Sequence, residues 1–118
     1  MSVMIKNVEH EAVFSLAEQV EVRKGEVVSR TLAQNDAVSL TLFAFDANEE
    51  IGTHESEGDA LVTVLEGTGK FTVDGRETIL KAGQSLVMPS RKPHAVFAQE
   101  AFKMMLTVVF PERKQHEK

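Results

Sequence analysis

The sequence has 118 residues, of which 42% are hydrophobic and 26% charged, and its formal net charge is −5. A chain of this length can bury one core but not two, so we expect a single globular domain. The acidic balance argues against a nucleic-acid partner, because no basic surface is available to neutralise phosphates. The apolar runs are too short to cross a membrane, so no membrane partner is expected. The absence of cysteine excludes disulfides and thiolate chemistry and favours a cytoplasmic location.

Residues 1–25 are weakly patterned, and we expect a lead-in of strand and helix that packs on the rest of the domain. Val3 and Ile5 are compatible with a short edge strand. The segment Ser15-Leu16-Ala17-Glu18 has the form of a capping box. It predicts one short helical turn near the N-terminus.

A two-residue period begins at Val20 and indicates that strands follow. Val20 and Val22 alternate with polar residues, and so do the residues of segment 27–32. The turn-forming pair Lys24-Gly25 lies between the two segments, which predicts a hairpin.

The remainder of the chain is a series of short apolar segments separated by turns. The predicted strands cover residues 37–45, 61–65, 70–73, 77–80, 85–88, 94–98 and 102–110. The strand from Leu61 to Leu65 is expected to be buried on both faces, because its Val/Leu character is almost unbroken. Asp74-Gly75 is a strong hairpin signal, and we expect Gly67 and Gly75 at positive φ. Nine or ten short strands at this spacing predict an all-β antiparallel sandwich or barrel.

The segment 52–67, GTHESEGDALVTVLEG, combines a histidine, an acidic loop and an apolar strand. Side chains two apart on a strand point to the same face. We therefore expect His54 and Ser56 to face one side of the sheet and Glu55 and Glu57 the other. A histidine beside an acidic loop is a candidate for binding or chemistry.

This segment and a later one together resemble the two sequence motifs of the cupin superfamily. The first motif places a His-x-His pair, then a glutamate, then a glycine that closes the strand. His54 matches the first histidine and Gly67 the closing glycine. Ser56 replaces the second histidine, and Ala60 replaces the glutamate.

The second motif of the family has a glycine, a proline, an inner glycine, a histidine and an asparagine at fixed spacing. Gly83, Pro89 and His94 match it, whereas Arg91 replaces the inner glycine and Ala98 the asparagine. Fifteen residues separate the two motifs, as in the shortest cupins. The chain thus resembles a small single-domain cupin of the cupin 2 conserved barrel type.

The resemblance covers about residues 26–110 and implies a fold and a domain division. The implied fold is an antiparallel double-stranded β-helix, also called a jelly roll or cupin barrel, preceded by one short N-terminal helical turn. Residues 26–111 would form the barrel, and residues 112–118 a charged C-terminal tail.

The resemblance also implies where a metal ion would bind. Cupin enzymes usually hold Fe, Mn, Ni, Zn or Cu through three histidines and a glutamate, and this chain keeps only His54 and His94 of those four positions. Protein sites normally supply three or four donors, so we expect no metal or a weakly bound divalent ion such as Mn, Fe, Ni or Zn. A carboxylate from Glu55, Glu57 or Asp59 could complete the site if the loop bends inward. The plainer alternative is that both histidines are pocket groups that are hydrogen-bonded to each other, to Ser56 or to water.

The mouth of the implied barrel is the expected ligand pocket. Strand alternation predicts that Val64 and Ala98 also face inward, although such residues are often plain core. Arg91 and Lys92, on the loop of the second motif, could attract an anionic ligand. The predicted pocket and ligand-binding residues are His54, Ser56, Ala60, Val62, Met88, His94 and Val96.

Three functions are compatible with these residues. The first is a binding protein that holds a small molecule in the barrel, with a degenerate or absent metal site. The second is a metal-dependent enzyme, similar to a dioxygenase or an isomerase, that uses His54 and His94 with a recruited carboxylate. The third is metal-independent acid–base catalysis with a histidine as the proton carrier. Whether the protein is an enzyme stays open at this point.

The sequence also predicts a homodimer. A small barrel leaves sheet edges exposed, and pairing of two copies would cover them. The resemblance supports this expectation, since cupins commonly dimerise. Val20 to Leu32 is the predicted contact region.

Overall fold

The computed structural model describes residues 3–112, and the part of the predicted charged tail from residue 113 onward lies outside them. Nine strands and one 3₁₀ turn are found in the described residues. The 3₁₀ turn spans Leu16–Gln19. The strands are β1 Val27–Gln34, β2 Val38–Phe45, β3 Glu50–His54, β4 Asp59–Glu66, β5 Thr68–Val73, β6 Arg76–Lys81, β7 Ser85–Met88, β8 His94–Phe97 and β9 Phe102–Val109.

The strands form two antiparallel sheets that face each other. The five-stranded sheet has the order β1-β2-β9-β4-β7, and the four-stranded sheet has the order β3-β8-β5-β6. Strands that follow one another in the chain often lie in different sheets, which is the arrangement of a double-stranded β-helix. The prediction of an all-β jelly roll with one short helical turn is confirmed.

The space between the sheets is filled by apolar side chains. Strand alternation directs Ala60, Val62 and Val64 of β4 inward, where they are at most 1% exposed. The prediction that β4 is buried on both faces is wrong, because Leu61 points outward and is 41% exposed. An antiparallel sheet can leave one face in solvent. Because the outward residues of β4 are also apolar, the sequence does not show the alternation of inward and outward positions. The other large side chains with almost no exposure are Phe45, Phe71, Met88, Phe102 and Met104.

The tight turns follow the local sequence. Asp74 and Gly75 have φ of 51° and 83°, and they join two strands whose last pair is Val73 with Arg76. Two central residues with positive φ match the hairpin turn expected for Asp-Gly. Gly67 has φ of 75°, and a Cβ there would lie 2.6 Å from the carbonyl oxygen of Ala101. The predictions for both glycines are confirmed.

The N-terminal segment covers part of the outer face of the five-stranded sheet. Val20 packs there with Leu32, Leu42 and Ala44 in a second buried cluster. Lys103, on the outer face of β9, donates a hydrogen bond of 2.7 Å from Nζ to the carbonyl oxygen of Ala17. The 3₁₀ turn is thereby fixed to the sheet by its backbone.

Three local predictions in this segment are wrong. Val3 and Ile5 are not in a strand, and Ser15 makes no side-chain capping hydrogen bond. The predicted hairpin across Lys24-Gly25 is absent from the described residues, since β1 pairs with β2 alone and the residues before the turn are not in a strand. Val20 packs against the sheet from a segment that is not a strand, and in sequence such a valine cannot be told from one in a strand. The Gly25 turn itself is present, with φ of 73°.

Candidate functional site

The two motif histidines meet where β3 ends and β8 begins. His54 is the last residue of β3, and His94 is the first residue of β8. The strands are antiparallel neighbours, and His54 and His94 are register partners, beyond an irregularity that follows Ile51. Strand pairing therefore places side by side two residues that are forty positions apart in the chain.

The imidazole rings are in direct contact. Their Nε2 atoms lie 3.0 Å apart. The ring centroids are 4.2 Å apart and the ring planes are inclined by 69°. Because the centroids are little farther apart than the nitrogens, the rings are not aligned end to end. The geometry therefore does not favour a linear N–H···N hydrogen bond between the rings.

The opposite nitrogen of each ring is held by the backbone. Nδ1 of His54 lies 2.9 Å from the carbonyl oxygen of Gly52, and Nδ1 of His94 lies 3.1 Å from that of Lys92. A carbonyl oxygen can only accept a hydrogen bond, so each Nδ1 is the donor. Each neutral ring then carries its proton on Nδ1 and a lone pair on Nε2. The two lone pairs are directed into the same small space, where they repel each other unless a proton or a ligand lies there.

The two histidines differ in exposure. His94 is only 3% exposed, whereas His54 is exposed. Burial lowers the pKa of His94, and the neighbouring His54 lowers it further. The hydrogen bond to Lys92 and the charge of Glu55 act in the opposite direction on this pKa. His94 thus stays neutral to lower pH than an ordinary histidine, and the exposed ring of His54 is the accessible half of the pair.

Ser56 lies in the loop after β3 and not on the strand, so the expected common face with His54 is not formed. Its Oγ accepts a hydrogen bond of 3.2 Å from the amide of Gly58. Its carbonyl oxygen accepts one of 2.8 Å from the amide of Arg91, on the loop before β8. Asp59 adds a second link, because Oδ1 accepts a hydrogen bond of 2.8 Å from the amide of Ser90. The loops of the two motifs are thus joined to each other.

Arg91 has φ of 65°, in the left-handed region that glycine adopts most easily. It occupies the position at which the cupin motif has its inner glycine. Position 91 thus has a conformation that suits a glycine, although the residue there is an arginine. The substitution is visible in the sequence, but the conformation of the residue is not.

The apolar residues predicted to line the pocket belong to the core. Ala60, Val62, Met88 and Val96 are between 0% and 3% exposed, and Ala60 is the register partner of Met88. These side chains belong to the core cluster between the sheets and have almost no contact with solvent. Their participation in ligand binding stays a prediction.

The residues present do not form a tight metal site. Within residues 3–112, no three His, Asp or Glu side chains come together in a way that could hold an ion. Ala60 has no donor atom, the hydroxyl of Ser56 is engaged with Gly58, and Asp59 is directed to the loop of the second motif. Two imidazoles are fewer donors than divalent transition metals require for tight binding.

Two features of the site were not found from the sequence. The carbonyl groups of Gly52 and Lys92 fix the tautomers of the two rings, and backbone groups leave no mark in a residue pattern. The electrostatic influence of Glu55 on His94 crosses from one motif to the other. Only the register of β3 and β8 brings these groups together.

Comparisons with known proteins support the fold and the motif assignment. The family model described as Cupin domain matches residues 41–110. A conserved protein of unknown function from Streptococcus pyogenes is 42% identical, with 95% of this chain and 98% of that one covered at a TM-score of 0.92. A cupin superfamily protein from Desulfitobacterium hafniense is 32% identical, with coverages of 92% and 100% and a TM-score of 0.88. No curated protein matches the chain.

One further observation concerns membranes. In the part of the chain that the structure describes, no helix has the length and apolar character needed to span a bilayer.

Proposed function

Because this chain belongs to the cupin superfamily, we propose that it binds a small molecule at the end of the barrel marked by His54 and His94, without a tightly held metal ion. One observation carries the proposal, namely the contact of 3.0 Å between the two Nε2 atoms. Both Nδ1 atoms donate to carbonyl groups, so both Nε2 atoms are acceptors. An ammonium group of a ligand has enough hydrogens to donate to both of them, whereas a hydroxyl group would donate to one.

The difference in exposure between the two histidines sets the side from which a ligand approaches. A ligand reaches the exposed ring of His54 first, while His94 forms the buried end of the site. The hydrogen bonds to Gly52 and Lys92 hold both rings in place before the ligand arrives, which reduces the entropic cost of binding.

Metal analysis tests the proposal against its main rival. The protein is purified without chelators or an affinity tag and analysed for Mn, Fe, Ni and Zn, and the same ions are then titrated. We expect weak uptake that a chelator reverses, with the metal content as purified unchanged in His54→Ala. A stoichiometric ion that is released by His54→Ala would contradict the proposal and favour the metal enzyme.

Ring NMR tests the binding itself. We expect compounds with a hydroxyl or ammonium group to shift the imidazole signals of both histidines, and matched ethers to leave them unchanged. In His94→Asn, the side-chain amide can still donate a hydrogen bond to the carbonyl oxygen of Lys92. This variant shows whether loss of the ring by itself disturbs the fold. Equal responses to donor and non-donor compounds would contradict the proposed role of the pair.

The metal-dependent enzyme, resembling a dioxygenase or an isomerase, is the second candidate, and the same contact favours it. His54 and His94 would each offer the ion a lone pair on Nε2, since both Nδ1 atoms donate to carbonyl groups. Glu55 would be the carboxylate to recruit, since its charge already acts on His94. Acid–base catalysis without a metal would use the same pair, with His54 as the solvent-accessible proton carrier.

We further propose that the protein is a homodimer, with Val20 to Leu32 in the interface. β1 is an edge strand of the five-stranded sheet. The carbonyl oxygens of Thr31 and Leu32 accept hydrogen bonds from the side chain of Asn7 and the amide of Lys6, so the first half of β1 is the part that would pair with a second copy. Val22, just before it, is 37% exposed. Sedimentation should give twice the chain mass of 13.0 kDa. Val22→Glu should weaken the dimer, and a monomeric native protein at micromolar concentration would contradict the proposal.

A further inference from the structure

A cleft opens between the two sheets on the side where β6 and β7 are the outermost strands. It has a volume of about 380 Å³, and its walls include Val73, Asp74, Arg76, Thr78, Leu86 and Lys92. We propose that this cleft binds a small organic anion, specifically a monocarboxylate with a short apolar chain. His54 and His94 do not line it, so the inference does not depend on the function proposed for the histidine pair.

The floor of the cleft is apolar because it is the edge of the core. Val73 and Leu86 are half-buried and pack against the core cluster. Strand alternation places Arg76 and Thr78 on the same face of β6 as Leu80, which is buried. The cleft therefore continues the space between the sheets, and a ligand in it would cover apolar surface that the fold leaves exposed.

The rim of the cleft carries two cations. The guanidinium of Arg76 makes no hydrogen bond or ion pair with another described residue. Nζ of Lys92 lies 3.7 Å from Oδ2 of Asp74, in an ion pair whose side chains are 53% and 61% exposed. Such an exposed pair contributes little to stability, so a ligand can compete with it without breaking a buried interaction.

The polar side chains that line the cleft favour a carboxylate as the charged group of the ligand. The fork of a guanidinium matches the two oxygens of a carboxylate and binds them with parallel hydrogen bonds. Lys92 adds a point charge, and the hydroxyl of Thr78 offers a further donor. Two cations against the single carboxylate of Asp74 make the cleft locally positive, although the chain as a whole has a charge of −5. An amine would be repelled there, and an uncharged analogue would gain only the apolar contacts.

The size of the cleft limits the ligand to a short one. Its volume is near the lower end of the range of about 300–1,000 Å³ that small-molecule sites occupy. β6 and β7 are edge strands, so backbone groups along their free edges lie outside the ladders. These groups could supply further hydrogen bonds to a polar head group.

Hexanoate is a suitable probe because it combines a carboxylate with a five-carbon apolar chain. We expect saturable chemical-shift changes at the backbone amides of Val73, Arg76, Thr78 and Leu86 when hexanoate is titrated into the full chain. Hexanamide has the same shape without the charge, and it should bind at least about tenfold more weakly, since a hydrogen bond to a charged group contributes more than one to a neutral group. Added salt should weaken hexanoate binding.

Arg76→Gln should weaken hexanoate binding by about tenfold or more, because it removes the bidentate partner. Arg23→Gln removes the same charge from the exposed loop before β1 and should leave the binding unchanged, as should His54→Ala. Circular dichroism checks that each variant is folded. If Arg76→Gln does not fold, Lys92→Gln removes the other cation of the rim and takes its place. Absence of saturation, equal binding of hexanamide, or equal effects of Arg76→Gln and Arg23→Gln would each overturn the inference.

Discussion

The amide of Arg91 donates a hydrogen bond of 2.8 Å to the carbonyl oxygen of Ser56, and this bond joins the loop that follows His54 to the loop that precedes His94. Arg91 reaches the carbonyl with φ of 65°. The relative position of His54 and His94 thus depends on an unfavourable backbone conformation of one residue as well as on strand pairing.

A β-branched residue at position 91 should be costly. Arg91→Val is expected to lower the free energy of unfolding by about 1–2 kcal/mol, because left-handed backbone is poorly accessible to branched side chains. Arg91→Gly should change it by less than about 0.5 kcal/mol, since the relief of strain offsets the greater entropy of the unfolded chain. Denaturant unfolding of both variants measures these differences. Equal stabilities of the two variants would show that this conformation carries no strain.

Gly75 and Gly52 form a matched pair for testing the turn. A Cβ would meet no atom within 4 Å at either position, but only Gly75 has a positive φ, of 83°. Gly75→Val should lower the free energy of unfolding by more than about 1 kcal/mol, because valine cannot adopt the turn conformation without strain. Gly52→Val should cost less than about 0.5 kcal/mol, since strands accept branched residues. Similar thermal midpoints for the two variants would contradict the assignment of this turn.

The stability of the protein should depend on the protonation of His94. Burial lowers its pKa in the folded state below the ordinary value of 6.5. The unfolded state then binds more protons between the two pKa values, so stability is full above about pH 6.5 and decreases as the pH falls towards the folded pKa. Unfolding free energies measured at several pH values should show this decrease in the native protein.

Two variants identify the group responsible for that pH dependence. His94→Asn should flatten it, since no titrating side chain remains at the buried position. His10→Asn removes an exposed imidazole outside the site and serves as the matched control. An undiminished slope in His94→Asn would assign the effect to another group.

Restoring the ligands of the cupin motif should couple metal binding to folding. Ser56→His with Ala60→Glu gives four potential donors, but Ala60 is 1% exposed among Val108 and Met88. A glutamate there is buried without a partner, so the metal-free double variant should lose several kcal/mol of stability, about 2–7 kcal/mol on transfer scales. Added Ni or Zn should raise its thermal midpoint far more than that of the native protein.

The matched control for this experiment is Ser56→His with Ala60→Gln, which has nearly the same volume but no charged donor. It should gain much less stability from the metal. If both double variants bind no more metal than the native chain, the loop of Ser56 cannot place a donor beside the histidine pair.

The fold could be predicted because its signals are local. Asp74-Gly75 fixes a two-residue turn, and the alternation of Ala60, Val62 and Val64 identifies the inner face of β4. The failed predictions concern places where a local pattern has two structural explanations. Val20 fits a strand in sequence, yet it packs on the outer face of the sheet with Leu32.

The site was predictable only in part. The spacing of the motifs predicted that His54 and His94 lie in the same pocket, and in the structure their rings are in contact. The orientation of their nitrogens depends on the carbonyl groups of Gly52 and Lys92, which any residue type could supply. The cleft between β6 and β7 depends on which strands end the two sheets, and neighbouring strands in a sheet are often distant in sequence.

The position of β9 has a consequence for the order of folding. β9 follows every other strand in the sequence, yet it lies in the middle of the five-stranded sheet, where it pairs with both β2 and β4. The β1–β2 hairpin and the β4–β7 pair cannot join into one sheet until β9 has been synthesised. Closure of long chain loops precedes such pairing, and this makes folding slow compared with a protein of local contacts. A nascent chain that stops before Phe102 therefore leaves one edge of β2 and one edge of β4 without a pairing partner, and these edges are open to binding by a chaperone or to pairing with another chain.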